Sequence, residues 1–190
     1  MQFADNQIEY VAWENHAYRF YIGARLLYLN KVLSPAAFCA QQALELILKA
    51  TLLYWDKGFN PKSIGHRGTS LLRATRNKVL RARSLTIEPY FFAGQRYQSH
   101  TRYPQGGILI PGKFLDDLDE AFYSTLSLVP FQFNSQLVNT LRRETKPELL
   151  ILRRRNKRMR SLRTFLAPWV RFRGSRTEFP ASLRDLIGNA

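Results

Sequence analysis

Three histidines, His16, His66 and His100, and one cysteine, Cys39, bound the chemistry open to this chain. They show no ligand-like clustering, so a cysteine-rich zinc site is excluded, and neither a metal nor another cofactor is expected. One arginine and one histidine lie close together, in Arg96-Tyr97-Gln98-Ser99-His100. Residues four apart share a helix face, so guanidinium and imidazole could converge on one phosphate. His100 reads equally well as a capping or loop residue at a helix end. Glu45 and Lys49 have the spacing of an intrahelical ion pair; in so apolar a stretch they should face a partner helix or a groove. No phosphate-cradling glycine loop, nucleophile elbow or HExxH occurs. Asp116, Asp117, Asp119 and Glu120 read as a solvated acidic face, or as partners for the chain's own cations, before a two-metal site.

The charge balance names a class of partner. Twenty-nine basic residues against fourteen acidic ones leave +15 over 190 residues. A surface built only for solubility mixes both signs, so an anionic partner is implied, nucleic acid ahead of acidic protein or membrane. The excess is concentrated. Residues 142–176 hold thirteen basic and two acidic residues, a local charge of +11. The block before them is much closer to neutral, which assigns the anion-seeking role to the C-terminal extension.

Helices must position these groups. Strand signals are sparse, no repeat is visible, and an apolar content of 45% supports a core. A first helix is predicted from Asp5 or Asn6 to about residue 30, with Ile8, Ala12, Tyr18, Ile22 and Leu29 as its apolar stripe. Ser34-Pro35 reads as an N-cap followed by proline at the first helical position, opening a buried central helix over 35–56. Gln41, Gln42, Glu45 and Lys49 interrupt its apolar run, which argues against a membrane span. Further helices are predicted over 69–82, from Glu88-Pro89 toward His100, and over 113–129, where Phe114, Leu118, Phe122 and Leu126 fall on one face. The expected architecture is an all-α, up-and-down helical bundle over 1–130, with a basic, partly helical extension over 131–190. The N-terminal MQFADNQIEY lacks a basic start and an apolar signal core, and with one cysteine a cytoplasmic location is expected.

In the extension, Pro147 and Glu148 look like a helix start. Leu149, Leu152, Met159, Leu162 and Leu166 then share one arc of a helical wheel. Arg153, Arg154, Lys157, Arg158 and Arg160 cluster opposite, while Arg155 and Arg163 fall inside the apolar arc. Such a helix can dock its apolar face and offer arginine forks to phosphates. Trp169 and Phe172, beside Arg171 and Arg173, fit base stacking or lipid insertion. No sequence-reading module is present, so binding led by shape and phosphate is expected.

Two stretches carry a family resemblance. One is Ala36-Ala37-Phe38-Cys39-Ala40-Gln41-Gln42-Ala43-Leu44-Glu45-Leu46-Ile47-Leu48-Lys49-Ala50, followed after a loop by His66. The other runs from Tyr97 through Arg102-Tyr103-Pro104. Together they resemble the HEPN domain over roughly residues 4–130. The resemblance implies a helical bundle, frequently a homodimer or a subunit of a larger complex. It also implies a link to RNA more than DNA, and in many members metal-independent ribonuclease activity within toxin–antitoxin or other defence systems. Catalytic members place four to six residues between the arginine and the histidine; Arg96 and His100 are separated by three. The resemblance makes these two the catalytic pair, with arginine stabilising charge and histidine moving a proton at the phosphodiester. Other members are non-catalytic and bind RNA or nucleotides, for which Glu45, Lys49, His66 and Arg102 form the candidate groove. His66 is expected to hydrogen-bond the bundle in preference to contacting a ligand.

Overall fold

A computed structural model describes residues 5–92, 110–129 and 147–157. Among them are five α-helices, two 3-10 helices and no strand. Helix α1 (Asp5–Leu29) and helix α2 (Leu33–Trp55) form the central hairpin. Its turn is a Schellman closure: Val32 N–H donates to Leu27 O and Lys31 N–H to Tyr28 O, both at 2.9 Å. Lys31 takes the left-handed conformation there (φ 63°), a position that usually favours glycine. Helix α2 begins two residues earlier than expected, so Ser34 is not its cap. Val32 holds that place, and Pro35 lies in the first turn, where no backbone donor is needed.

The buried face of α1 differs from the predicted stripe. Tyr10, Ala17, Tyr18, Tyr21, Ile22 and Ala24 line the core, whereas Ala12 is exposed. Burial on α1 follows its tyrosines, whose rings remove more apolar area from water than a methyl does. Helix α2 is the core helix. By length and composition it could cross a membrane, but 72% of its most apolar window is buried inside the bundle.

Helix α3 (Gly68–Lys78) buries Leu71, Leu72 and Thr75. It stops short of the predicted residue 82, because Val79 is extended (φ −114°, ψ 106°) and buried. A 3-10 helix, Leu80–Ser84, follows, then a second, Pro89–Phe91, at the start of the helix predicted toward His100, whose residues 93–100 lie outside the described residues. Gly68 is required by packing: a Cβ there would stand 2.0 Å from the Phe92 ring. In helix α4 (Phe114–Leu126) the predicted stripe Phe114, Leu118, Phe122 and Leu126 is wholly buried. Phe122 stacks on Tyr21 at 4.3 Å between centroids, and Phe114 on Tyr28 at 4.9 Å. These ring pairs join α4 to α1, and Trp55 Nε1–H to Leu128 O (3.0 Å) ties the end of α2 to the turn after α4.

Helix α5 (Pro147–Arg153) is much shorter than the predicted amphipathic helix. The chain turns at Arg154 and Arg155, the latter at φ 56°, so the described residues after Arg153 do not continue the α-helix. Leu152 is fully buried against the bundle while Leu150 is exposed. This first part of the extension therefore belongs to the packed core.

Candidate functional site

The middle of α2 and the loop before α3 assemble the first cluster. Lys49 Nζ donates to Glu45 Oε1 at 2.8 Å, one turn along the helix. His66 Nδ1 lies 2.9 Å from the same oxygen. Glu45 is 1% exposed and Lys49 is buried, yet the His66 side chain is 65% exposed. Lys49 Nζ also sits 5.8 Å from the centre of the Trp13 ring, a cation–π contact that α1 supplies. Glu45 Oε2 is buried and makes no hydrogen bond. A buried carboxylate thus orients an imidazole that opens to solvent. Acid–base sites use this arrangement to fix a ring's tautomer, and nucleotide sites to accept from hydroxyl or amino groups.

Helix direction explains the cluster. Glu45 meets His66 just before α3 starts, and Asp56, at the end of α2, meets Lys78 at 2.9 Å. Helix α3 therefore runs beside α2 in the same direction, and the intervening loop returns along about 16 Å of α2. Phe59 and Ile64 pin that loop to the core. Asn60 closes its turn, accepting from Lys62 N–H at 2.9 Å.

The second cluster was not foreseen in the sequence. Arg25 on α1 is 0% exposed and forms an ion pair with Asp119 on α4, with one Nη1 contact at 2.5 Å. Its Nε donates to Ile151 O at 3.2 Å, and its Nη2 donates to Arg154 O. Tyr21 O–H donates to Asp119 at 2.6 Å and accepts from Asn156 Nδ2 at 3.0 Å. Burial pushes the Asp119 carboxyl up to about 6, against the opposing pull of Arg25 and the Tyr21 hydroxyl. One guanidinium thereby satisfies carbonyls at the C-terminal end of α5 and fastens that helix to α1 and α4.

The acidic face divides its work accordingly. Asp119 is sealed on Arg25, and Asp117 accepts from Tyr90 O–H at 2.8 Å. Asp116 pairs with Lys157 at 2.7 Å, so one of these acids meets the chain's own basic segment directly. Arg153, Arg154 and Arg155 are exposed at the rim of this junction. Arg96, His100, Arg102, Arg158, Arg160, Arg171 and Arg173 lie outside the described residues. No group of histidine, cysteine or acidic side chains able to hold a metal occurs among the described residues. Arg25 was missed because an arginine on a helix ordinarily signals a wet face; only its position among Tyr18, Tyr21 and Ala24 hinted at burial.

No curated protein and no solved structure matches the chain. The family model of the HEPN domain matches residues 10–120, which takes in α1 from Tyr10 onward, α2, α3 and the first half of α4. The helical bundle and the match over more than half of its length establish that this chain belongs to the HEPN domain family.

Proposed function

We propose that this HEPN protein associates with nucleic acid, RNA before DNA; the sharper version of the reading makes it a metal-independent endoribonuclease of a toxin or defence system. The observation that carries the reading is the anchored cationic junction. Arg153, Arg154 and Arg155 are exposed on a segment that Arg25 fastens to the bundle. Arginine forks held at fixed places lose less freedom on gripping phosphates than a loose tail would. Arg158, Arg160, Arg171 and Arg173 extend the same charge along the chain. In this reading residues 1–130 dimerise and cut, and 131–190 hold the strand. Arg96 stabilises the negative charge that develops on the phosphoryl oxygens, and His100 transfers the proton.

The test is cleavage of a labelled structured RNA in EDTA by wild type, Arg96→Ala and His100→Ala. The reading expects cleavage by wild type and at least a hundredfold loss in either variant, with binding kept. An inactive wild type that still binds RNA would move the protein to the second reading, a non-catalytic subunit holding RNA in a larger complex. A third reading, a small-nucleotide binder, draws on Glu45 Oε2, a buried acceptor without a hydrogen-bond donor. Binding of mononucleotides but not RNA would select it.

A further inference from the structure

The modest net charge of residues 1–130, fifteen basic against ten acidic residues, conceals a second concentration of charge. Between Lys57 and Ile87 the chain has eight lysines and arginines and no acidic residue. All of these residues are described and form one continuous path: the loop pinned by Phe59 and Ile64, helix α3, and the 3-10 helix Leu80–Ser84. Two of the cations have structural duties. Arg76 donates to Leu85 O (2.9 Å from Nε), and Lys78 pairs with Asp56. Lys57, Lys62, Arg67, Arg73 and Arg83 are exposed. On α3, Arg73 lies opposite the buried face made by Leu71, Leu72 and Thr75.

A merely solvated face interleaves signs, because like charges at short range repel and oppose the compact state. This stretch holds no acidic residue over 31 positions; Lys78 pairs with Asp56 just before it, and Lys57, Lys62, Arg67, Arg73 and Arg83 face solvent. We infer that the surface from Lys57 to Arg83 is a second nucleic-acid-binding surface, gripping backbone phosphates on the bundle itself, with the Glu45-oriented His66 imidazole within it. The inference rests on the nucleic-acid reading above.

The chemistry of the face favours nucleic acid over lipid. Thr69, Ser70 and Asn77 are exposed among the cations and supply neutral contacts of the kind made to phosphate and sugar. Membrane-surface helices need an apolar face to insert. Here Leu80, 72% exposed, is the only large apolar side chain of the stretch that is exposed.

The experiment uses the full chain, a labelled mixed-sequence single-stranded RNA, and mobility shift over a salt series. Lys62→Gln/Arg67→Gln/Arg73→Gln is compared with Arg153→Gln/Arg154→Gln/Arg155→Gln. Unchanged melting temperatures show that both variants fold. Each triple should weaken binding at least about tenfold at low salt and reduce the slope of log affinity against log salt by about 2. Wild-type affinity and slope in the first triple, with loss in the second, would overturn the second surface and leave the extension as the binder. Failure of wild type to bind RNA would overturn this inference together with the reading it rests on. Wild-type binding to phosphatidylserine vesicles, lost in the first triple while RNA binding is kept, would overturn it in favour of lipid.

Discussion

Among the described residues, the two buried ion pairs make opposite use of the same ingredients. Arg25 and Asp119 are both enclosed, and every neighbour they engage, Tyr21, Ile151 O and Arg154 O, belongs to the scaffold or leads into it. Glu45 and Lys49 are also buried, but their third partner, His66, stands mostly in solvent, and one carboxylate oxygen has no donor. A closed network fixes how elements meet. An open one presents an oriented group outward while leaving a polar atom unsatisfied, and such cost is commonly met at functional sites. On this comparison α1, α4 and α5 meet at a structural lock, while the α2–α3 edge keeps an oriented imidazole open to solvent.

Breaking the closed network should have the largest effect. Arg25→Met is expected to lower stability by about 3–5 kcal/mol, because Asp119 is left buried without its counter-charge. It should also speed proteolysis after Arg153, since the carbonyls of Ile151 and Arg154 lose their donor. Chemical denaturation and limited trypsin digestion read both, and unaltered cleavage would show that Leu152, Asn156 and Lys157 hold the segment without Arg25.

The pH dependence of the lock comes next. Asp119 is raised from 3.8 to about 6, so the folded state binds its proton more tightly than the unfolded chain does. Its contribution to stability is therefore fully present below about pH 4 and is lost as pH rises through about 6. Relative to Asp119→Asn, wild type should lose about 2–3 kcal/mol between pH 4 and 7. Parallel stability curves for the two proteins would contradict that assignment.

The open network should respond more gently. Glu45→Gln keeps the shape but leaves buried Lys49 without its anion, for a loss of about 1–3 kcal/mol in a denaturation experiment. His66→Ala, at a mostly exposed side chain, should cost less than about 1 kcal/mol while altering nucleic-acid or nucleotide binding. A large stability loss from His66→Ala with binding intact would turn the cluster into a second lock. Lys157→Ala removes an exposed bridge to Asp116 and should cost at most about 1 kcal/mol by the same assay.

Much of the helical frame was legible because it obeys a simple period. Phe114, Leu118, Phe122 and Leu126 recur every fourth residue and are buried together; the span of α1 and the buried character of α2 followed equally directly. What escaped the sequence depends on contacts far away in the chain. Arg25 finds Asp119 94 positions later, and no local pattern announces that pairing. Helix α3 ends at Lys78 because Val79 is buried in an extended conformation, although 69–82 scans as helix throughout. The predicted helix after Pro147 fails at Arg154 and Arg155, where the backbone turns so that the Arg154 carbonyl meets Arg25. At the candidate site, the spacing of Glu45 and Lys49 was readable and His66 was expected to hydrogen-bond the bundle, as it does; that its partner would be Glu45 was not. The charge of residues 57–87 was hidden by averaging over the whole bundle.

The most direct test of the account is the salt dependence of RNA binding by the full chain, measured by mobility shift from low to physiological salt. Several phosphates held by arginine and lysine should give a steep linear fall of log affinity with log salt, with a slope of about −3 or steeper. Absence of RNA binding, or binding indifferent to salt, would contradict the claim that the chain's excess positive charge exists to hold nucleic acid.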